Sequence, residues 1–214
     1  MTALFYDWYG YNTMLFYLIN GVRDARLDVF MQVGAILGNP LYLPVYGVLL
    51  LVASMYWAIR YGQYQAWSGV TAWCAVALTF VAATYAGLYL TAYIHQLVDF
   101  ARPAAALGAE AVKSLGPSQG SHHSLPSGHA LFTMTFVFSV WPLMAAHQKL
   151  AGALFVGWVG VAQVYAGAHF PVDVIAGWLL ALVLVALIRR VIGYLVHVLV
   201  TWIAGRLARR ARLL

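Results

Sequence analysis

The chain has 214 residues and a formal charge of +6; 64% of its residues are hydrophobic and only 8% charged, with a mean hydropathy of +0.80. Soluble domains carry about a quarter charged residues, so the composition excludes a soluble globular protein and indicates one integral membrane domain, 1–214. The lone cysteine, Cys74, lies in an apolar run; it excludes a disulfide framework or cysteine metal site and reads as a small core residue.

No basic stretch opens the chain, and Asp7 interrupts its apolar start, so no cleavable signal is expected. Residues 12–38 mix Arg23, Asp24, Arg26 and Asp28 with Leu27, Phe30, Met31, Val33 and Leu37 at helical spacing, which predicts an amphipathic helix, interfacial or partly inserted. Spans need about 20 apolar residues. The stretches 41–59, 67–94, 129–146, 150–168 and 172–188 meet or approach that length, giving a transmembrane core over 41–188. A polar loop, 97–126, joins the second stretch to the third. Residues 191–205 are apolar but short; they read as the lower end of the preceding helix or an interfacial helix, with a sixth span as the alternative. The expected fold is all-α: a polytopic membrane helical bundle of five to six transmembrane helices with an N-terminal amphipathic helix.

Alternating the spans from an inward-running 41–59 gathers Arg60, Lys149, Arg189, Arg190, Arg206, Arg209, Arg210 and Arg212 at one face. All six acidic residues fall on the other face, with Arg23, Arg26, Arg102 and Lys113. The bias of Lys and Arg toward cytoplasmic loops then places the basic tail, 189–214, in the cytoplasm and the 97–126 loop outside. The net charge reflects this topology and contact with acidic lipids; no basic stripe suited to nucleic acid is present.

Three polar clusters end hydrophobic runs at that outer face: His95 with Arg102-Pro103, Pro126-Ser127-Gly128-His129, and His169 with Asp173. Ionisable residues are costly in hydrocarbon, so their placement there points to function. Ser127 suits a helix N-cap and Gly128 admits close backbone approach, leaving free amides to bind an anion; the alternative is an ordinary helix cap. His169 and Asp173 stand at i and i+4, where a carboxylate can hold one imidazole nitrogen and expose the other, or simply form a satisfied interfacial pair. His95 and Arg102, seven apart, share a face if the second span continues that far, with Pro103 marking its end. The Arg102 fork suits a phosphate, or equally a lipid headgroup.

In order and spacing these clusters resemble the type-2 phosphatidate phosphatase (lipid phosphate phosphatase) superfamily, whose signature is Lys-x6-Arg-Pro, Pro-Ser-Gly-His and Ser-Arg-x5-His-x3-Asp. The resemblance implies that His169 attacks phosphorus, with Asp173 orienting it and stabilising its positive charge, and that His129 protonates the leaving oxygen. It further implies a phosphate site formed by Arg102, Ser127 and the Gly128 amide beside Pro126, with no metal and no cofactor. Two positions depart from the signature: His95 stands for the lysine, and Ala162-Gln163 for Ser-Arg. Charge-assisted bonds are about twice as strong as neutral ones, so phosphate binding should weaken unless compensated. Either a protonated His95 restores a cation, with an acid-shifted optimum, or His122, His123 or Lys113 supplies donors from the outer loop. A third reading is a phosphate of lower charge, or phosphoryl exchange. His95, Gln163 and His123 are therefore carried as substrate-binding candidates with Arg102, Pro126, Ser127 and Gly128.

The function expected is hydrolysis of a lipid phosphate ester or diphosphate (a polyprenyl phosphate, a phosphatidate-like lipid or a lipid A phosphate) by an enzyme of the bacterial inner membrane, active at its periplasmic face. The 12–38 segment is similar to those preceding the core of bacterial undecaprenyl-diphosphate phosphatases. Partners are then the lipid substrate and membrane lipids. Alternatives are a phosphotransferase using the same intermediate, a zinc-type hydrolase drawing on His122, His123, His129, His169, Asp99 and Asp173, and a proton-coupled transporter. Aromatic residues near span ends, Tyr93, Phe100, Trp141, Tyr165 and Phe170, are expected mostly in the interfacial belt. Gly157 and Gly160 suit helix packing within the chain or between copies.

Overall fold

The structure, a computed structural model, describes residues 6–22, 24–115 and 120–211, with the backbone alone at 58, 61–68, 70, 200, 203–205 and 207–211. Arg23, Arg212, loop residues 116–119 and the side chains of Arg209 and Arg210 lie outside the described residues. The described regular structure is helical: α1 (Tyr11–Asn20), α2 (Ala25–Leu37), α3 (Leu43–Leu97), α4 (Pro103–Leu107), α5 (Gly128–Val140), α6 (Ala146–Tyr165) and α7 (Pro171–Ala211), with short 3-10 turns between.

The amphipathic helix expected over 12–38 is two helices. Asp24 adopts extended angles and accepts hydrogen bonds from the Arg26 and Leu27 amides, capping α2 and breaking it from α1. One face of α1 packs inward, for Asn12, Phe16 and Asn20, spaced i, i+4, i+8, are buried, while Tyr11, Met14 and Leu18 are exposed. Phe16 sits among Val112, Val164, Phe170 and Val174. Asn20 donates to the carbonyls of Lys113 and Tyr165 (both 2.8 Å) and accepts from the Lys113 amide (3.0 Å). Asn12 accepts from the Val172 amide (3.1 Å), one of the free donors in the first turn of α7. With these two asparagines α1 locks the outer loop onto α6 and α7. Below it α2 lies along α6, with Phe30 stacked on Trp158 at 4.5 Å.

Helical throughout, α3 nevertheless reverses direction. A straight helix would separate Tyr46 from Phe80 by about 50 Å, at 1.5 Å per residue. Their rings are 6.4 Å apart, both packed with Leu50, Val76, Phe132 and Val140 in one core cluster. Two antiparallel arms result, Pro40–Trp57 and Thr71–Leu97; with Pro171–Leu199 of α7 these are the three segments, among the described residues, long and apolar enough to cross a membrane. The apolar Gly128–Leu143 is shorter. Residues 191–205 continue α7 without a break, and are its lower end.

One end of the bundle is basic. The Arg189 guanidinium donates to the Phe138 carbonyl at the end of α5, and Lys149 lies 5.7 Å from the Trp141 ring centre. Cys74 is exposed on α3, since it falls on the face turned away from α5 and α7, so it is not a core residue. Tyr165 and Phe170 are 1% and 3% exposed, so they belong to the core and not to an aromatic belt. Gly160 lies against Trp178 and Val174 of α7, within the chain. At the opposite end Gly177 lets α7 approach the start of α5: a Cβ there would stand 2.6 Å from the Ser127 carbonyl oxygen. That contact brings the two motif-bearing helices together.

Candidate functional site

Helix ends supply the site. Ser127 caps α5, its hydroxyl accepting from the Ala130 amide (3.4 Å), so Gly128 and His129 form the first turn with amides free for an anion. The Ser127 amide itself donates to the Asp173 carbonyl (3.0 Å), joining the second and third motifs through backbone. On α7, Asp173 lies in the first turn and His169 in the turn before it. That turn is closed by the Gln163 carbonyl, which accepts from the amides of Ala168 (3.0 Å) and His169 (3.3 Å), and it requires Gly167 at φ 72°. Gln163 is 1% exposed, beneath this turn.

The first motif is arranged differently from expectation. The second arm of α3 ends at Leu97, five residues before Arg102, and Val98 turns extended as its C-cap. Pro103 begins α4 instead of ending α3, and Arg102 before it is extended, as a residue preceding proline should be. His95 and Arg102 thus share no helix face; the returning chain brings them together. Arg102 Nε donates to the His122 carbonyl (3.2 Å) and Nη1 to the Ala168 carbonyl (3.1 Å), bridging the outer loop and the turn carrying His169. Burial lowers the Arg102 pKa while Asp173 opposes the shift, and a guanidinium so placed keeps its charge. His129 lies within electrostatic range of His169 and Arg102, and His95 within range of His123, Arg102 and His169. All three motifs therefore converge at the end of the bundle opposite Arg189.

The His169–Asp173 pair departs from a simple dyad. Nδ1 of His169 is 2.8 Å from the Ser124 carbonyl oxygen and 3.6 Å from Asp173 Oδ2, so its hydrogen bond goes to the loop backbone. Asp173, fully buried, takes the Ser124 hydroxyl (2.6 Å) and the Phe170 amide (2.9 Å) on Oδ2, and the Tyr6 hydroxyl (3.1 Å) on Oδ1. Burial first, then Asp173, raise the Tyr6 pKa, so its hydroxyl remains a donor. The Tyr6 ring stacks on Phe100 at 4.0 Å and 4°. Ser124 and Tyr6 were not legible in the sequence, because neither lies in a periodic pattern and their bonds to Asp173 span 49 and 167 residues.

Of the outer-loop donors, only His123 approaches the site: its ring stacks on His95 at 5.3 Å. His123 has φ 63°, a conformation rare for residues other than glycine, and its Nδ1 is 3.6 Å from Asp99. His122 Nδ1 pairs with the same aspartate at 2.9 Å, and Lys113 Nζ donates to the Gly21 carbonyl (2.8 Å), on the α1 side. Among the described residues His95 Nε2 is buried with no hydrogen-bond partner. The six residues of the zinc-type alternative divide between the Asp99 group and the His169–Asp173 group, and no three described His, Cys, Asp or Glu side chains are arranged to hold a metal. A cleft of about 310 Å³ lined by Arg102, Ser114, Ser121, Gly167 and Ala168 opens beside these loops.

Comparison with known proteins agrees with this arrangement. The model of the PAP2 superfamily matches residues 76–197, more than half of the chain. An undecaprenyl-diphosphatase of Sulfolobus acidocaldarius is 40% identical over 58 residues; the match spans 27% of this chain and only 28% of that relative's length. The crystal structure of Aquifex aeolicus LpxE superposes with a TM-score of 0.69 at 25% identity, covering 85% of this chain and 96% of that one. A transmembrane PAP2-type phosphatidylglycerolphosphate phosphatase from Bacillus subtilis shares the fold at TM-score 0.59 and 18% identity, over 86% and 85% of the two chains.

Proposed function

Because the chain belongs to the PAP2 superfamily, we propose that it is a membrane lipid phosphatase, releasing phosphate from a lipid phosphate ester or diphosphate through a phosphohistidine on His169. The observation that carries this is the fixed tautomer of His169. A carbonyl oxygen only accepts, so the Ser124 carbonyl requires the proton on Nδ1 and leaves the Nε2 lone pair free. Nε2 attacks phosphorus, a P–N bond forms, and the P–O bond to the lipid breaks. His129 gives its proton to the departing oxygen. Water then attacks phosphorus, losing its proton to His129; the P–N bond breaks, and free phosphate and neutral His169 are restored. Arg102, Ser127 and the amides at the start of α5 hold the phosphoryl oxygens, and Asp173 offsets the charge that His169 gains. Each step is complete without a metal or cofactor.

The charge distribution supports a five-span bundle with the site at the periplasmic face of a bacterial inner membrane and α7 ending in the cytoplasm. A phosphate at that face can reach the helix ends while its lipid chain stays in hydrocarbon. Polyprenyl phosphates or diphosphates and phospholipid-type phosphates fit this geometry, and the cleft beside Arg102 offers room for a headgroup. A panel of lipid mono- and diphosphates, assayed for phosphate release between about pH 5 and pH 8 with and without EDTA, tests the reading. Chelator-insensitive release from at least one class is expected; release that requires a divalent metal would refute it.

His95 holds the position of a family lysine, and its Nε2 is buried without a hydrogen-bond partner among the described residues. An imidazole is a cation only near and below neutrality, whereas a lysine stays charged to about pH 10. His95→Lys should therefore raise kcat/KM, by about tenfold at pH 8 and less at pH 6, as one restored charge-assisted bond predicts. A fall at both pH values would show that His95 does not serve as the cation.

A further inference from the structure

Two residues outside the family signature meet at Asp173. Ser124 makes contact with both members of the His169–Asp173 pair: its carbonyl takes the Nδ1 proton of His169, and its hydroxyl donates to Asp173. It is 0% exposed, so water does not compete for either bond. Tyr6 holds the other carboxylate oxygen, with its ring fixed between Phe100 (4.0 Å, stacked) and Phe170 (5.9 Å, edge-on). It also precedes the segment matched by the family model, which begins at residue 76.

We propose that Ser124 and Tyr6 are positioning residues for the reaction: Ser124 selects the nucleophilic tautomer of His169 and couples it to Asp173, and Tyr6 makes the N-terminal segment part of the active site. This rests on the phosphohistidine reading above. Asp173, 3.6 Å from Nδ1, acts on the phosphorylated and therefore cationic ring through space and through the Ser124 linkage. With both oxygens held by donors from three parts of the chain, the carboxylate cannot rotate away when the ring becomes charged. Asn12, which caps α7, and Asn20, which clips the outer loop, hold the same N-terminal segment in place, so the docking of α1 and the geometry of Asp173 are linked.

Ser124→Ala and Tyr6→Phe test this in the full-length protein in detergent or lipid, with phosphate release and acid-labile phosphoenzyme measured together. Ser124→Ala deletes the hydroxyl and keeps the carbonyl; Tyr6→Phe deletes the hydroxyl and keeps the stacked ring. The expected result is a fall in kcat of about 10- to 100-fold for Ser124→Ala, the range for losing a hydrogen bond to a charged group, and about 5- to 10-fold for Tyr6→Phe. KM should change by less than about threefold, and phosphoenzyme formation should slow in proportion. An unchanged kcat with a lowered melting temperature would show a merely structural role and overturn the proposal, while wild-type phosphoenzyme on His169 left the phosphohistidine reading standing. Should Ser124→Ala fail to fold, Tyr6→Phe decides alone by the same criterion. Absence of phosphoenzyme in the wild type would remove the reading and the proposal together.

Discussion

His169→Ala is expected to lower phosphate release by at least ~10³-fold while leaving the protein folded. The basis is geometric. His169 is 3% exposed, its Nδ1 is committed to the Ser124 carbonyl, and Nε2 is the only nitrogen left to attack. The other histidines nearby are held differently: His95 and His123 stack on one another, and His129 sits on the first turn of α5. Truncation removes one buried hydrogen bond, to an oxygen with a second lone pair, so the cost in stability should stay near 1 kcal/mol. Phosphate release and thermal melting, measured on one detergent-solubilised preparation, check both halves. Residual activity within tenfold of the parent would exclude His169 as nucleophile.

Asp173→Ala should behave differently, losing activity and stability together. Its carboxylate is the acceptor for the Ser124 hydroxyl and the Phe170 amide in a fully buried position, and for the Tyr6 hydroxyl nearby. Each buried donor left unpaired costs about 1–3 kcal/mol, so the variant should be less stable by roughly 2–5 kcal/mol. At about 2–4 °C per kcal/mol for a chain of this size, its melting temperature should drop by about 5–15 °C. Turnover should fall by ~10²–10⁴-fold, the loss expected when an imidazole is no longer held and its charge no longer offset. Asp173→Asn, which keeps the shape and part of the acceptor capacity, should retain more stability than activity. Full activity in Asp173→Asn would mean that shape, not charge, is what Asp173 supplies.

Motif spacing made the placement of the site residues readable in the sequence, because Pro126-Ser127-Gly128-His129 and His169…Asp173 are local patterns whose geometry follows from helix starts. The convergence of the clusters followed from alternating the hydrophobic stretches. Both inferences use short-range periodicity, and the structure brings the named residues together at one end of the bundle. Long-range polar contacts left no such trace. Asn12 and Asn20 look like two ordinary polar residues on an apolar helix until Val172, Lys113 and Tyr165 are folded against them. Pro103 starts a helix where spacing predicts an end, because proline does both, and only the extended Val98 and Arg102 distinguish the two. The i, i+4 spacing permits a direct His169–Asp173 bond only within a helix; His169 lies before the first turn of α7, where the Ser124 carbonyl takes its Nδ1.

The positions proposed to hold phosphate carry this chain's own departures from the signature. Arg102 is the cation nearest the motifs and is also bonded to the His122 and Ala168 carbonyls, so it fixes the loops as well as offering charge. Gln163, in the place of an arginine, is buried under the turn that presents His169, while His95, at the lysine position, carries the His123 ring stacked on it. Under the proposed reading, the site would combine His169, His129 and Asp173 with a clamp that keeps Arg102 but has His95 and Gln163 in place of two cations.

The central claim is a covalent phosphoryl group on His169. Rapid quenching of the wild-type protein with a radiolabelled lipid phosphate, followed by peptide mapping, tests it directly. The predicted result is an acid-labile, alkali-stable phosphoryl group on the peptide containing His169, formed and lost at rates that account for turnover. Steady phosphate release with no such intermediate, abolished by EDTA and restored by a divalent metal, would contradict the account.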